Sequence, residues 1–186
     1  NDSFFYFLHY YDPHTPYEPP EPFASDYSDN FYAGEIAYTD HYIGQVIQKL
    51  KELNLYNSTL IIIAGDHGEM LGRRGLWYKN QLLDPATRVP LLVRWPGHVP
   101  TQTVCDSIVT SPDFYPTLLT GLGVPLPDNH AIDGVDIAPA LRGGELNRDA
   151  IFTYFPHSPN VPDWLPPCVA VHAGDWKLIR LFHHGE

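Results

Sequence analysis

The stretch IIIAGDHGEMLGRRGLWYK, residues 61–79, contains the sharpest change of character in the chain. A run of β-branched residues, typical of a buried strand, ends at Gly65 and is followed at once by Asp66 and His67. Ligands of open α/β sheets bind beyond the carboxyl ends of the strands. The adjacent carboxylate and imidazole therefore indicate either a site for a metal or charged ligand, or an ordinary polar turn.

The residues before this strand predict a βαβ unit. Phe4–Tyr11 (FFYFLHYY) is a short aromatic run that predicts a buried strand, and Pro13 and Pro16 stiffen the loop after it. From Asn30 to Leu53 the apolar residues recur at helical spacing. The apolar face contains Ile36, Ile43, Val46, Ile47, Leu50 and Leu53, with Glu35, Asp40, Gln48, Lys51 and Glu52 largely elsewhere. With a strand at Thr59–Ala64, this order predicts a parallel sheet covered by helices.

The rest of the chain continues the α/β pattern. Val89–Arg94 predicts a third strand, and Ser111 with Pro112 opens a helix that Gly121 or Gly123 ends. Further predicted elements are a short strand at Ser107–Val109, a short helix at Asp136–Leu141, a strand at Ile151–Phe155 and a hairpin of Val169–Ala173 and Trp176–Leu181.

The composition limits the class of partner. The 186 residues are 44% hydrophobic, which is enough for one domain with a packed core. The net charge of −11 argues against nucleic acid or an acidic membrane surface as the main partner. An anionic substrate would therefore need a local cluster of positive groups or a cation. No targeting segment and no run of about 18 apolar residues is recognised, so no membrane span is predicted.

The two cysteines are interpreted as free buried thiols. Cys105 and Cys168 do not belong to any recognisable disulfide framework, although the sequence leaves a bond between them open.

Several side chains are candidates for chemistry. Asp66 and His67 offer a divalent cation one oxygen and one nitrogen. Lys79 follows a glycine-rich loop with two arginines, where a positive group would offset the charge of an anionic ester, and the alternative is a solvated surface amine. His14 lies in the proline-stiffened loop, which suits a proton-transfer residue, and the alternative is a histidine packed under that loop.

Taken together, these segments resemble the type I sulfatases of the alkaline-phosphatase superfamily. The resemblance is carried by FFYFLHYYDPHTPY (4–17), TLIIIAGDHGEMLGRRGLWYKN (59–80), ATRVPLLVRWPG (86–97), SPDFYPTLLTGLGV (111–124), DGVDIAPAL (133–141) and GDWKLIR (174–180). It implies an alkaline-phosphatase-like α/β fold, with a mainly parallel sheet sandwiched by helices. Residues 1–155 would be the C-terminal-side part of the catalytic domain. Residues 156–186 would be a loop and the first strands of a small antiparallel C-terminal subdomain.

The resemblance also implies roles for single residues. Asp66 and His67 would bind one calcium ion, and Lys79 would contact the sulfate group and assist the leaving oxygen. His14 would be the catalytic proton donor.

Two further residues are assigned to the substrate. Arg74 belongs to an arginine pair that would make the rim of the pocket more basic, and the alternative is a plain solvated pair. His157 follows the strand at a place where relatives often carry substrate-touching loop residues, and the alternative is simple surface exposure.

The family's nucleophile is a formylglycine made from the cysteine of a C-x-P-x-R motif, and the 186 residues contain no such motif. The paired aspartates that complete the family's calcium site are missing as well. The chain is therefore expected to be a piece of a sulfatase, with the formylglycine supplied by an upstream segment.

The expected function is that of a sulfuric ester hydrolase acting on a sulfated carbohydrate or an aryl sulfate. The alternatives are a phosphodiesterase or phosphonate monoester hydrolase of the same superfamily, and an inactive sulfatase-like fragment. The partner implied is a sulfated small molecule or glycan, and the location implied is periplasmic, secreted or lysosomal.

Overall fold

The computed structural model describes residues 3–156 and 166–182. The chain divides into two compact units, residues 1–59 and 60–186. The first unit holds helices α1 (Phe23–Asp26) and α2 (Phe31–Glu52). The second holds strands β1 (Ile61–Ala64), β2 (Leu91–Arg94), β3 (Ile151–Phe155), β4 (Cys168–Ala173) and β5 (Trp176–Leu181), and helices α3 (Asp84–Thr87), α4 (Phe114–Gly121) and α5 (Ala138–Leu141).

The long helix α2 confirms the prediction from helical spacing, but one part of its predicted face is wrong. Asn30 caps the helix by accepting a hydrogen bond from the Ala33 amide at 3.1 Å, and Asn54 follows its end with a positive φ of 57°. Glu35, expected on the solvent side, is only 2% exposed, whereas Ile36 is 44% exposed. The face is rotated near the N-terminus because the Glu35 carboxylate accepts hydrogen bonds from a neighbouring loop.

The predicted buried strand at Phe4–Tyr11 is not formed. The segment has no helix or strand assignment, and Phe5 and Phe7 are 81% and 76% exposed. A strand requires a neighbouring ladder of backbone hydrogen bonds. Nothing in residues 3–156 or 166–182 supplies that ladder, so the predicted βαβ pairing is absent from the part of the chain that the structure describes.

The strand that precedes Asp66 pairs antiparallel with β2. The register runs from Ile61 opposite Arg94 to Ala64 opposite Leu91, and the Gly65 amide extends it with a hydrogen bond to the Pro90 carbonyl at 3.1 Å. The ladder therefore continues up to the residue before the candidate site and fixes where the strand ends.

The elements that follow β2 agree with the sequence in kind but differ in detail. No strand forms at 107–109 in the described structure. A 3₁₀ turn, Ser111–Asp113, leads into α4, and the cap is Thr110, not Ser111, because Thr110 and Asp113 form a reciprocal capping box. The Trp95 ring lies against Gly121 at the end of α4, where a Cβ atom would not fit.

The last three strands form an antiparallel sheet in the order β3-β4-β5, as the predicted hairpin requires. Leu82, from the segment before α3, packs in a buried cluster with Cys168 and Ala170 of β4. Both cysteines are free, which confirms free thiols, although Cys105 is exposed and only Cys168 is buried. Burial raises the pKa of the Cys168 thiol.

Throughout the described residues, no helix combines the length and the apolar composition needed to cross a membrane.

Candidate active site

The Asp66-His67 turn presents a carboxylate oxygen and an imidazole nitrogen side by side. Asp66 Oδ1 accepts a hydrogen bond from the His67 amide at 2.8 Å, and Oδ2 lies 3.7 Å from His67 Nε2. His67 Nδ1 lies 2.9 Å from the Gly68 carbonyl, which can only accept, so Nδ1 is the donor of this contact, and in the neutral imidazole Nε2 is then the nitrogen with the lone pair. The Asp66 side chain is 71% exposed and that of His67 is 34% exposed.

The backbone after this turn is fastened to α3. The Gly68 amide donates to the Ala86 carbonyl at 2.8 Å, and the Glu69 amide donates to the Pro85 carbonyl at 3.0 Å. A Cβ atom at Gly68 would collide with the Pro85 carbonyl, so only glycine allows this approach. Helix α3 therefore determines where the turn lies.

The loop between the turn and Lys79 is built on unusual backbone conformations. Gly72, Arg74 and Tyr78 have positive φ values of 78°, 58° and 67°. The Trp77 ring covers Gly72, as expected for a residue that fixes the loop, although the indole is still 56% exposed. The Lys79 side chain is partly buried, and its carbonyl accepts from the Gln81 amide at 2.8 Å. Arg73 and Arg74 are both exposed.

His14 belongs to the first unit and is held by Glu35. The His14 amide donates to Glu35 Oε2 at 2.9 Å, and the Glu18 amide donates to Glu35 Oε1 at 2.7 Å. His14 Nδ1 lies 2.8 Å from the Thr15 carbonyl, and the ring lies 4.4 Å from that of Tyr11. The Thr15 carbonyl can only accept, so His14 Nδ1 is the donor of this contact and the ring is oriented by it.

The structure brings Asp66 and His67 together on one turn, with Lys79 and Arg74 on the loop that follows in the same unit. His157 lies outside the described residues. Among the described residues, no group of three or more His, Cys, Asp and Glu side chains is arranged to hold a metal ion. The turn could accordingly supply two of the ligands of a cation. Calcium takes about six to eight ligands, so the remaining ligands would come from other groups.

Glu35 is a functional candidate that sequence reasoning missed. Its partners, His14 and Glu18, lie 21 and 17 residues away in the sequence. Helical periodicity reports the average direction of a side chain, and it carries no signal for a carboxylate that is drawn inward by distant amides.

A second charged cluster, also missed, connects α3 to the C-terminal hairpin. Lys177 Nζ donates to Asp84 Oδ1 at 2.9 Å and to Thr87 Oγ1 at 3.0 Å. The hydrogen bond from Lys177 lowers the pKa of Asp84, although partial burial opposes it. His172, opposite Lys177 in the β4–β5 register, has a pKa lowered by burial and by the Lys177 charge.

Comparison with known proteins identifies the class of fold. The family model described as Sulfatase matches residues 1–124, and the model described as N-sulphoglucosamine sulphohydrolase, C-terminal, matches residues 72–186. The chain belongs to the sulfatase family. A curated relative, the choline-sulfatase of Rhizobium meliloti (strain 1021), is 32% identical over 149 residues, which cover 80% of this chain and 28% of the relative.

Solved structures confirm the alkaline-phosphatase-like α/β fold class. The phosphonate monoester hydrolase from Silicibacter pomeroyi is 32% identical, with a TM-score of 0.69 over 81% of this chain and 32% of that one. A protein solved in complex with its substrate D-glucosamine-2-N,6-O-disulfate is 23% identical, with a TM-score of 0.76 over 83% of this chain and 32% of that one. The chain thus spans about a third or less of these relatives.

Proposed function

We propose that this chain is part of a sulfuric ester hydrolase that cleaves sulfate from a sulfated carbohydrate or an aryl sulfate. The observation that supports this most is the Asp66-His67 turn, because its Oδ2 and Nε2 atoms are presented together at a strand end in a chain of the sulfatase family. Sulfatase-like proteins matched by this chain include a choline-sulfatase and a structure with a sulfated glucosamine substrate.

In this proposal Asp66 and His67 would hold one calcium ion, and the ion would offset negative charge on the sulfate oxygens. A formylglycine supplied by an upstream segment would provide the nucleophile.

Other side chains of this chain bind the ester and move the proton. Lys79 places an ammonium group against the sulfate and the departing oxygen. His14, whose ring is oriented by the contact of Nδ1 with the Thr15 carbonyl, donates a proton to the departing oxygen. Arg74 and His157 contact the rest of the substrate. The His157 assignment rests on the sequence alone.

The division into a catalytic part, residues 1–155, and the start of a C-terminal subdomain, residues 156–186, stays a prediction. A periplasmic, secreted or lysosomal location is part of the same proposal, because the family resemblance implies it.

A phosphonate monoester hydrolase is the second candidate, favoured by the 32% identity and TM-score of 0.69 to a solved enzyme of that type. The two candidates share the metal-bearing strand end and differ in the atom attacked, which is sulfur in one and phosphorus in the other. Rates on matched sulfate, phosphate-diester and phosphonate esters of the same leaving phenol separate them.

The experiment uses the complete polypeptide encoded by the gene and compares Asp66→Ala with Asp40→Ala, an exposed aspartate on α2. We expect the sulfate ester to react fastest. We expect Asp66→Ala to lower kcat/KM by more than about 100-fold, since a catalytic metal is worth several kcal/mol. Faster phosphonate turnover would favour the second candidate, and equal activity of the two variants would remove the metal role of Asp66.

A further inference from the structure

Lys177 lies where the C-terminal hairpin meets α3, and it contacts both ends of that helix. Its Nζ atom donates to Asp84 at the first position and to Thr87 at the last, at 2.9 and 3.0 Å. The Lys177 side chain is only 18% exposed, so this charged hydrogen bond is shielded from solvent on the lysine side.

Helix α3 has little internal support. It comprises four residues. The Ala86 and Thr87 amides both donate to the Leu83 carbonyl, at 2.9 and 3.1 Å, and the Arg88 amide donates to the Asp84 carbonyl at 2.7 Å. A single helical turn is unstable in isolation, because few hydrogen bonds offset the entropy of fixing its dihedral angles. Its position therefore depends on what it packs against.

Apolar and polar contacts both hold this segment to the C-terminal sheet, and the polar ones include His172 Nε2 of β4, which lies 4.0 Å from Asp84 Oδ1. Leu82, two residues before the helix, is 6% exposed and packs with Cys168 and Ala170 of β4. Lys177 of β5 supplies the polar contact through Asp84 and Thr87. The apolar contact anchors the segment just before the helix, and the polar contact joins β5 to both ends of the helix.

The backbone carbonyls of α3 bond the residues that follow the Asp66-His67 turn. The Pro85 and Ala86 carbonyls, between the two residues that Lys177 holds, accept from the Glu69 and Gly68 amides. Two pairs of hydrogen bonds, each 3.0 Å or shorter, thus join the Lys177 ammonium group to α3 and α3 to the residues directly after His67, and the helix backbone connects the two pairs.

We propose that Lys177 is a positioning residue for the Asp66-His67 turn, acting through Asp84, Thr87 and the carbonyls of α3. Its effect on metal binding rests on the proposed function, whereas its effect on the backbone of the turn does not. The C-terminal hairpin thereby contributes to the site through the position of α3.

The first test measures the backbone and needs no metal. Hydrogen–deuterium exchange is followed by mass spectrometry in the complete polypeptide without calcium, on the peptide spanning residues 66–72. Lys177→Met should speed exchange at Gly68 and Glu69 about tenfold, because a charged hydrogen bond is lost. Lys177→Arg should restore most of the protection. Lys49→Met is the matched control, since Lys49 pairs with Glu52 at 3.1 Å on the surface of α2.

The reference peptide spans residues 114–123 of α4, where the Leu122 amide donates to Leu118 at 3.0 Å. The proposal requires that this peptide be unchanged, because equal acceleration there would mean general loosening and would overturn it. Asp84→Asn is a milder second variant, which keeps the shape and an acceptor and should give an intermediate rate. If residues 66–72 exchange at the wild-type rate in both Lys177→Met and Asp84→Asn, the proposal is also overturned.

The second test titrates calcium chloride into the same variants by calorimetry. If the proposed function holds, Lys177→Met weakens calcium binding about tenfold, as loss of a supporting contact around a metal ligand does, and Lys177→Arg recovers it. If the wild type binds no calcium and Asp66→Ala changes nothing, the metal part of the proposed function fails. In that case the exchange experiment alone decides whether Lys177 positions the turn.

Discussion

At the scale of the residue, Arg74 differs from its neighbour Arg73 in one measurable respect. Arg74 has a φ of 58°, a left-handed conformation that side-chain-bearing residues rarely adopt, whereas Arg73 is not among the residues with positive φ. Both are exposed in the loop before Lys79. The pair therefore offers a test in which the charge removed is equal and only the position changes.

We expect Arg74→Ala to raise KM for a multiply sulfated sugar two- to fivefold, about the size of an exposed charge pair, and to affect a singly charged aryl sulfate less. The measurement is KM for both substrates in Arg74→Ala and Arg73→Ala. Equal losses for both substrates would remove the assignment of Arg74 to a polyanionic substrate.

Asp113 shows that a buried carboxylate can serve structure alone. It is fully buried and accepts from Arg148 Nη1 and Nη2 at 2.8 and 3.0 Å, and from the Thr110 and Val135 amides at 2.7 and 2.9 Å. Burial acts to raise the pKa of Asp113, but the hydrogen bonds from Arg148, Val135 and Thr110 outweigh it, so the pKa is lowered. Both carboxylate oxygens of Asp113 accept hydrogen bonds from groups of the protein, so neither is left to bind a ligand.

We expect Arg148→Met to destabilise the protein by about 3–5 kcal/mol, because it leaves a buried charge without its partner. Urea unfolding compares this variant with Arg142→Met, an exposed arginine after α5. If Arg148→Met lowers the free energy of unfolding no more than Arg142→Met does, the ion pair of Arg148 with Asp113 does not stabilise the protein.

The residues that the sequence could identify are those whose environment is local. Asp66 and His67 stand directly after a run of β-branched residues, so the strand end itself marked them. Glu35 and Asp113 could not be found in this way, because their partners His14 and Arg148 are 21 and 35 residues distant. Burial of a charge is decided by such distant groups, which a pattern along the chain does not contain.

At the scale of the element, the Glu35 carboxylate of α2 holds the loop that carries His14, and the Thr39 hydroxyl of the same helix adds a hydrogen bond to the Asp12 carbonyl at 3.2 Å. Glu35 accepts from the amides of His14 and Glu18, and these two amides lose their acceptor if the carboxylate is removed. We expect Glu35→Ala to lower the free energy of unfolding by about 1–2 kcal/mol, because two partly buried hydrogen bonds are lost. Glu35→Gln, which keeps one acceptor oxygen, should lose less.

Chemical denaturation checks this prediction, with Glu52→Ala as the control. Glu52 lies on the same helix and pairs with Lys49 on the surface, where such pairs are worth little. If Glu35→Ala and Glu52→Ala unfold at the same denaturant concentration, Glu35 does not hold the loop.

The sequence predicts a helix or strand correctly when its periodic pattern and its hydrogen-bonding partners both lie close together along the chain. Helix α2 and the β4–β5 hairpin satisfy this condition, and both appear at nearly the predicted bounds. Phe4–Tyr11 has the composition of a strand, but a ladder must be supplied by another segment, and none of the described residues supplies it. The composition of a segment thus indicates that it could form a strand, whereas a neighbouring strand with which it can pair decides whether it does.

At the scale of the whole molecule, three shifted groups make stability depend on pH in the same direction. Burial and the Lys177 charge lower the pKa of His172, although Asp84 opposes them. The pKa values of Asp84 and Asp113 are also lowered. The hydrogen bond from Lys177 lowers the pKa of Asp84 although burial acts to raise it, and burial also acts to raise the pKa of Asp113, but the hydrogen bonds from Arg148 act in the other direction and prevail. Each group therefore binds fewer protons in the folded than in the unfolded state, and stability rises with pH.

We expect the free energy of unfolding to fall in two stages as the pH is lowered. The first begins near the ordinary histidine value of 6.5, where His172 of the unfolded chain takes up a proton that the folded chain resists until its own lower pKa is reached. The second begins near the ordinary aspartate value of 3.8 and continues down to the lower folded pKa values of Asp84 and Asp113.

Denaturant unfolding across this pH range measures both stages. His172→Phe, similar in size and unable to titrate, should reduce the first stage and leave most of the second, because Lys177 still bonds Asp84 and Arg148 still bonds Asp113. Arg148→Met should reduce the second stage, since Asp113 then loses the hydrogen bonds that lower its pKa. A first stage of the same size in His172→Phe would mean that His172 does not cause it, and the acid sensitivity would have to arise from another histidine.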